Sequence, residues 1–275
     1  MVSDRSATVI EGWTEVDVVH GGVTLHVHRA GNPDGPTLVL AHGLSDSGRC
    51  WWRVAEALSG ELDLVMLDAR NHGQSSTVVD ATTTSVDDVA AVIDALGLDQ
   101  PMLMGHSLGA RMMAALAAGQ PRSASRLVLV DPPFGAEGER RIGLDPARRD
   151  GIRAWLASFD ELTRDDIVAL GHRQHADWPD DEFATWAESK QQVRTAAADD
   201  FPSTPWGEIV SAIECPTLLV HGEPARGGIV TDDVVARIVE LNPLVEATCV
   251  TGSGHNIHRE NFDAFIDVVR SFLFV

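Results

Sequence analysis

The pentapeptide Gly105-His106-Ser107-Leu108-Gly109 is the stretch of this chain best suited to chemistry. It ends an apolar run from Pro101 to Met104 that reads as a buried strand, and it precedes Arg111 to Ala118, whose Ala, Leu and Met residues read as a closely packed helix. A serine on such a sharp strand-to-helix turn holds its hydroxyl in the open. Glycines two residues to either side leave room where a Cβ would collide with the neighbouring strand and helix. A free serine hydroxyl is a weak nucleophile, so it needs a base within hydrogen-bond reach and a third group that orients the base. His255 follows Gly252-Ser253-Gly254 after the last strand of the pattern, where its imidazole can lean over the sheet edge towards Ser107. His258, three residues on, is the alternative base.

The elements that position these groups alternate in type. Residues 14 to 20 and 23 to 29 alternate apolar and polar around Gly21-Gly22, a hairpin signal. His26 and His28 share a strand face there. The sequence places no acidic or cysteine partner beside them, so they read as part of a solvated face rather than as metal ligands. Thr37 to Ala41, Leu62 to Leu67, Arg126 to Val130 and Thr217 to His221 are short continuous apolar runs, as expected of strands buried on both faces of a parallel sheet. Helices are expected over 49 to 58, over 85 to 96 opened by Ser85 and closed by Gly97, over 231 to 240 and over 260 to 273, with a strand near 246 to 251. Alternating strands and helices argue for an α/β doubly wound sheet. From residue 134 to about 206 the rhythm changes to an acidic, helix-like stretch that holds Trp155, Trp178, Trp186 and Trp206. It reads as a helical insertion, dividing the chain into a core of residues 1–133 and 207–275 and a helical cap of 134–206.

Composition limits the partners. The chain of 275 residues, 44% hydrophobic, is long enough to bury a large core, and its formal charge of −20, spread along the length, repels phosphate backbones. Nucleic acid is therefore excluded as a partner and a small-molecule substrate is expected. Cys50, Cys215 and Cys249 are odd in number and far apart, which fits neither a disulfide framework nor a zinc site. No apolar leader follows Asp4 and Arg5 and no run approaches the length of a membrane span, so a cytoplasmic setting is expected. Lys190 is the single lysine, which reads as codon usage rather than function. No metal or cofactor is expected, and the oligomeric state is not legible.

Four segments in order, each at the end of an expected strand, give the chain a family resemblance: His42-Gly43, Asp68-Ala69-Arg70-Asn71-His72-Gly73, Gly105 to Gly109, and Gly252-Ser253-Gly254-His255. The set resembles the α/β-hydrolase superfamily over nearly the whole chain apart from the insertion, which sits where that family carries its lid. The resemblance implies Ser107 as nucleophile, His255 as general base, and an oxyanion hole made by the backbone amides of Leu44 and Leu108. It implies that Asp68 to Gly73 is a structural turn opposite the elbow. The orienting acid departs from the commonest family pattern, because Gly222 is followed by Glu223, Pro224 and Ala225 without the usual aspartate. Asp131, in Val130-Asp131-Pro132-Pro133, occupies the position that some members use instead, with Glu223 as the other candidate. The implied function is a serine hydrolase of a carboxylic ester or lactone. Carbon-carbon (diketone) hydrolysis, amide hydrolysis and a slow or non-catalytic ligand-binding receptor are the alternatives. Trp51 and the four cap tryptophans imply an apolar pocket for a lipophilic or aromatic substrate.

Overall fold

A computed structural model of the protein describes residues 12–78, 82–135, 145–201 and 203–275. Gly21 and Gly22, both at positive φ, turn β1 (Thr14–His20) into β2 (Val23–Gly31), and the two strands pair antiparallel at one edge of the sheet. The apolar runs become β3 (Thr37–Ala41), β4 (Asp63–Leu67), β5 (Met102–His106), β6 (Leu127–Val130), β7 (Thr217–His221) and β8 (Val245–Cys249). Together they form an eight-stranded sheet in the order β1-β2-β4-β3-β5-β6-β7-β8, parallel from β4 to β8.

Alternate residues of the central strands face opposite ways, and each set meets its own helices. Leu38, Leu40, Met66, Met104, Val130 and Val220 pack under Val54 and Leu58 of α1 (Trp52–Leu58) and Phe265 and Val269 of α9 (Phe262–Leu273). The other set, including Val39, Leu67, Leu103, Leu129 and Leu219, packs against α2 (Ser85–Ala95), α3 (Leu108–Gly119), α7 (Trp206–Ala212) and α8 (Asp232–Leu241). The central strands β3 to β7 are mostly apolar because both of their faces are covered, whereas β8 at the edge carries Glu246 and Thr248. Helices on both faces of a mostly parallel sheet give the architecture expected of the α/β-hydrolase resemblance. The start of α2 differs from expectation by one residue: Thr84, not Ser85, is the cap, since its hydroxyl accepts from the Asp87 amide while Asp87 reaches back to the Thr84 amide.

Between β6 and β7 lie α4 (Pro146–Ala157), α5 (Arg164–Gln174), α6 (Glu182–Gln192) and a 3-10 turn over Thr195–Asp199. Phe159, Ile167, Trp178, Phe183 and Trp186 form a small core of their own there. The expected insertion also includes 136–144 and 202, which lie outside the described residues, as do 1–11 of the expected core. No helix among the described residues is long and apolar enough to cross a membrane. The three cysteines are unpaired.

A cleft of about 460 Å³ borders Arg70, Ser85, Asp199, Asp200 and Thr204, and Ser107 and His255 are not among its walls. Burial raises the Asp200 carboxyl to about 6, against the pull of Arg70. An unfolded aspartate titrates near ~4, so the folded chain holds this proton more tightly than the unfolded one. The stabilising contribution is complete below about pH 4 and is lost as the pH rises through 6. Asp200→Asn removes the charge that must otherwise be buried. It is expected to raise stability by roughly 2 kcal/mol at pH 7.5 and by little at pH 4. Denaturant unfolding at the two pH values checks this, and equal gains at both would contradict it.

Candidate active site

The hydroxyl of Ser107 is presented by backbone strain. Ser107 has φ 52° and ψ −117°, between the last residue of β5 and the first of α3. Its amide donates to the Val130 carbonyl at 2.9 Å and its carbonyl accepts from Arg111 at 3.1 Å, which pins the turn at both ends. The flanking glycines are obligatory on packing grounds. A Cβ on Gly105 would stand 2.4 Å from the carbonyl carbon of Gly109, and one on Gly109 would stand 2.3 Å from the carbonyl oxygen of Ala41. Both obstacles are backbone, so neither can swing aside. Gly105→Ala is expected to cost about 3 kcal/mol or more, or to leave the chain insoluble. Gly119→Ala, where a Cβ would meet nothing within 4 Å, is the matched control in the same denaturant titration.

His255 reaches Ser107 from far along the sequence. His255 Nε2 lies 3.1 Å from Ser107 Oγ, and His255 Nδ1 lies 2.6 Å from Asp131 Oδ2. Asp131 directly follows β6 at φ 39° and is wholly buried; its two oxygens also accept the Ile229 and Val230 amides at 2.9 and 3.2 Å. Three donors therefore fix one carboxylate. With Nδ1–H donated to Asp131, Nε2 is left as the acceptor for the serine hydroxyl. Glu223 is engaged elsewhere through its backbone, its amide bonded to Ser253 O and its carbonyl to the Arg226 and Gly228 amides, and it makes no hydrogen bond to His255. His258 is buried between Trp51 and His106, with ring centroids 5.0 and 4.8 Å away, and its Nδ1 has no hydrogen-bond partner among the described residues, whereas His255 is the histidine bonded to Ser107. Burial, with Arg259 adding to it, pushes His258 well below its ordinary pKa. Burial likewise lowers His106 to about 3, and its Nε2 bonds the His255 carbonyl at 2.9 Å.

The loop carrying Leu44 is held by a polar network. His42 Nδ1 donates to Gly43 O at 2.8 Å while its Nε2 accepts the Ala69 amide at 3.1 Å, and His72 Nε2 bonds the Leu44 carbonyl. Asp68 accepts the amides of Gly48 and Gln74, and Arg70 forks onto Asp88 at 2.6 and 2.7 Å. The segment from Asp68 to Gly73 thus ties two loops and α2 together, away from the serine hydroxyl. Leu108 opens α3, so its amide is among the donors that have no partner within the helix.

Lys190, the single lysine, has a structural place in the fold. It is buried on α6, with Nζ 2.9 Å from both the Ser45 carbonyl and Asp46 Oδ1, and it lies 4.7 Å from the centre of the Trp186 ring. Arg259 holds the other Asp46 oxygen at 3.0 Å and reaches Glu182 at 3.2 Å. Burial alone would raise the Asp46 carboxyl, yet Arg259 and Lys190 hold it well below the usual carboxylate range. This ion cluster joins α6 to the loop beside Leu44. Asp46, His106 and His258 bring ligand-type atoms within 4.8 Å of one another, but two cations already neutralise Asp46, and a metal ion there would meet their repulsion.

The tryptophans sit mainly in packed cores. Trp51 and Trp206 are 1% exposed and belong to the two cores flanking the sheet, with Trp206 stacked on Phe134 and donating to Gly135 O. Trp178 and Trp186 form the small core of the α5–α6 region, and Trp155 is exposed on α4.

The model of the Alpha/beta hydrolase family matches residues 38–268. The chain is 32% identical over 265 residues to the N-formylmaleamate deformylase of Pseudomonas putida, covering 94% of this chain and 95% of that one. Among solved structures it superposes on E-2-(acetamidomethylene)succinate hydrolase with a TM-score of 0.81 at 21% identity, covering 96% of this chain and 100% of that one. It also superposes on the N-formylmaleamic acid deformylase of Pseudomonas putida S16 with a TM-score of 0.76 at 24% identity, covering 93% and 100%. On the extent of the family match and of the 32% identity, the chain belongs to the Alpha/beta hydrolase family.

Proposed function

We propose that this hydrolase cleaves a small acyl compound through a covalent acyl-enzyme on Ser107. The observation that carries the reading is the unbroken hydrogen-bonded line from Ser107 Oγ through His255 to Asp131, at 3.1 and 2.6 Å. In the proposed cycle Ser107 Oγ attacks the substrate carbonyl as His255 Nε2 takes its proton, and Asp131 balances the imidazolium that forms. The amides of Leu44 and Leu108 donate to the oxyanion, a contribution of about 3 kcal/mol per donor. His255 then protonates the leaving group, and on the return step it deprotonates the water that releases the acyl group. Helices α4 to α6 act as a cap over the carboxyl edge of the sheet, with α6 fixed to the loop beside Leu44 by the Lys190–Asp46 pair and to Arg259 by Glu182.

Carboxylic esters and lactones are the substrate class proposed first, because their leaving groups ask least of the acid step. A second reading, hydrolysis of an N-acyl bond, is favoured by the 32% identical relative, which is named a deformylase. Steady-state assays on p-nitrophenyl esters, simple lactones and N-formyl or N-acetyl derivatives of unsaturated dicarboxylic acids separate the two. Turnover of the ester and lactone panel at higher kcat/KM supports the first, the reverse order supports the second, and no turnover of any acyl compound overturns the proposal.

A further inference from the structure

His26 and His28 do not lie on a solvated face. They are 7% and 0% exposed, because the loop after β4 folds over their side of β2: Ser75 Oγ accepts the His26 amide at 2.8 Å and Asp68 donates its own amide to the His26 carbonyl. The antiparallel register of the hairpin supplies the acidic partners that sequence spacing does not, pairing Glu15 with His28 and Asp17 with His26. Successive side chains alternate across a strand, so all four point to one face.

The orientation of the rings is what makes the cluster a site. Asp17 Oδ1 lies 2.7 Å from His26 Nδ1 and takes its N–H, which directs the Nε2 lone pair inward, 3.8 Å from Glu15 Oε2. His28 has Nε2 facing Asp68 Oδ2 at 3.5 Å and Nδ1 facing Glu15 Oε1 at 3.4 Å. Both ring nitrogens of this wholly buried residue lack a hydrogen-bond partner among the described residues. With its N–H towards Asp68, the Nδ1 lone pair confronts the lone pairs of Glu15. Two imidazole nitrogens and one carboxylate converge within 4.8 Å; Gln74 donates to the His26 lone pair from outside, while the His28 lone pair faces the carboxylate unpaired, a repulsion that a cation between them relieves.

We propose that Glu15, His26 and His28 form a binding site for a divalent transition-metal ion of the zinc class, placed on the edge hairpin and separate from Ser107. Zinc bound by imidazole nitrogen and carboxylate oxygen at ~2.0–2.2 Å holds its ligands roughly 3.4 Å apart, the scale of the 3.4 and 3.8 Å spans seen here. Nitrogen donors favour zinc over calcium or magnesium. Asp17 and Asp68 are the carboxylates that fix ring orientation from behind, the usual outer arrangement around metal-bound histidines. Gln74, exposed and donating to His26 Nε2 at 3.0 Å, turns its amide aside to admit the ion. The bound ion ties the edge strand β1 to β2 and, through Asp68, to the loops that Asp68 anchors at Gly48 and Gln74. The competing occupant of the gap is a proton on His28.

Calorimetric titration of the chelator-treated, desalted full chain with zinc chloride decides between them. One ion per chain is expected, with weakening of at least 10-fold in both Glu15→Gln and His26→Gln, and about 10-fold or more in Asp17→Asn. Wild-type Tm is expected to rise on adding zinc and to return with chelator. Glu15 is half exposed, so Glu15→Gln remains informative should a histidine variant fail to fold. Absence of stoichiometric binding, which fits the proton, overturns the proposal. So does binding of equal strength in Glu15→Gln, which would place the ion at another cluster.

Discussion

Ser107→Ala is expected to lower kcat/KM by roughly 10⁴- to 10⁶-fold on any acyl substrate the enzyme turns over, with KM little changed. The reason is local. The side chain of Ser107 makes its hydrogen bond to His255, and α3 does not depend on it for a cap. Alanine keeps the Cβ that the φ of 52° already accommodates, so the elbow survives the change. Stability should stay within about 0.5 kcal/mol of wild type, the range of substitutions that neither open a cavity nor strand a polar group. A large loss of activity with an unchanged unfolding midpoint separates a lost nucleophile from a lost fold. Activity within 10-fold of wild type would remove Ser107 from the chemistry.

Asp131→Asn is expected to lower kcat by about 10⁴-fold, because an amide in that place no longer selects the imidazole tautomer whose Nε2 accepts from serine. It carries a structural cost as well. Asp131 accepts three hydrogen bonds, from Ile229, Val230 and His255, and an asparagine side chain turns an N–H₂ towards at least one of those donors. A loss of roughly 1–3 kcal/mol of stability should accompany the kinetic defect. Glu223→Gln serves as the comparison, since Glu223 makes no hydrogen bond to His255 and its removal should change kcat only a few-fold. Equal defects in the two variants, or a defect confined to Glu223→Gln, would move the orienting role to the turn after β7.

The contrast between these two carboxylates marks the limit of what the chain discloses before it folds. Strands β3 to β7 are readable as apolar runs because both faces are covered, and Ser107 is readable because Gly105 and Gly109 answer to backbone contacts that no other residue satisfies. The choice between Asp131 and Glu223 depends on how β6 lies beside β7, which brings the amides of Ile229 and Val230 to the carboxylate from about a hundred residues away. Spacing carries no trace of that. Lys190 is similarly opaque, since its role arises from Ser45 and Asp46 far along the chain. His26 and His28 alternate in the manner of a half-solvated strand, and only the loop that crosses them decides their burial. The tryptophans show the reverse failure: a cluster of large aromatic residues serves a pocket or a core equally well, and Trp178 and Trp186 pack the small core between α5 and α6.

Covalent labelling tests the nucleophile most directly. The full chain is incubated with a fluorophosphonate probe, its intact mass is measured, and the modified peptide is sequenced. One probe per chain on Ser107, with no label on Ser107→Ala and markedly slower labelling of Asp131→Asn, is the expected result. An unlabelled wild-type chain, or a label on any residue other than Ser107, would contradict covalent catalysis at this elbow.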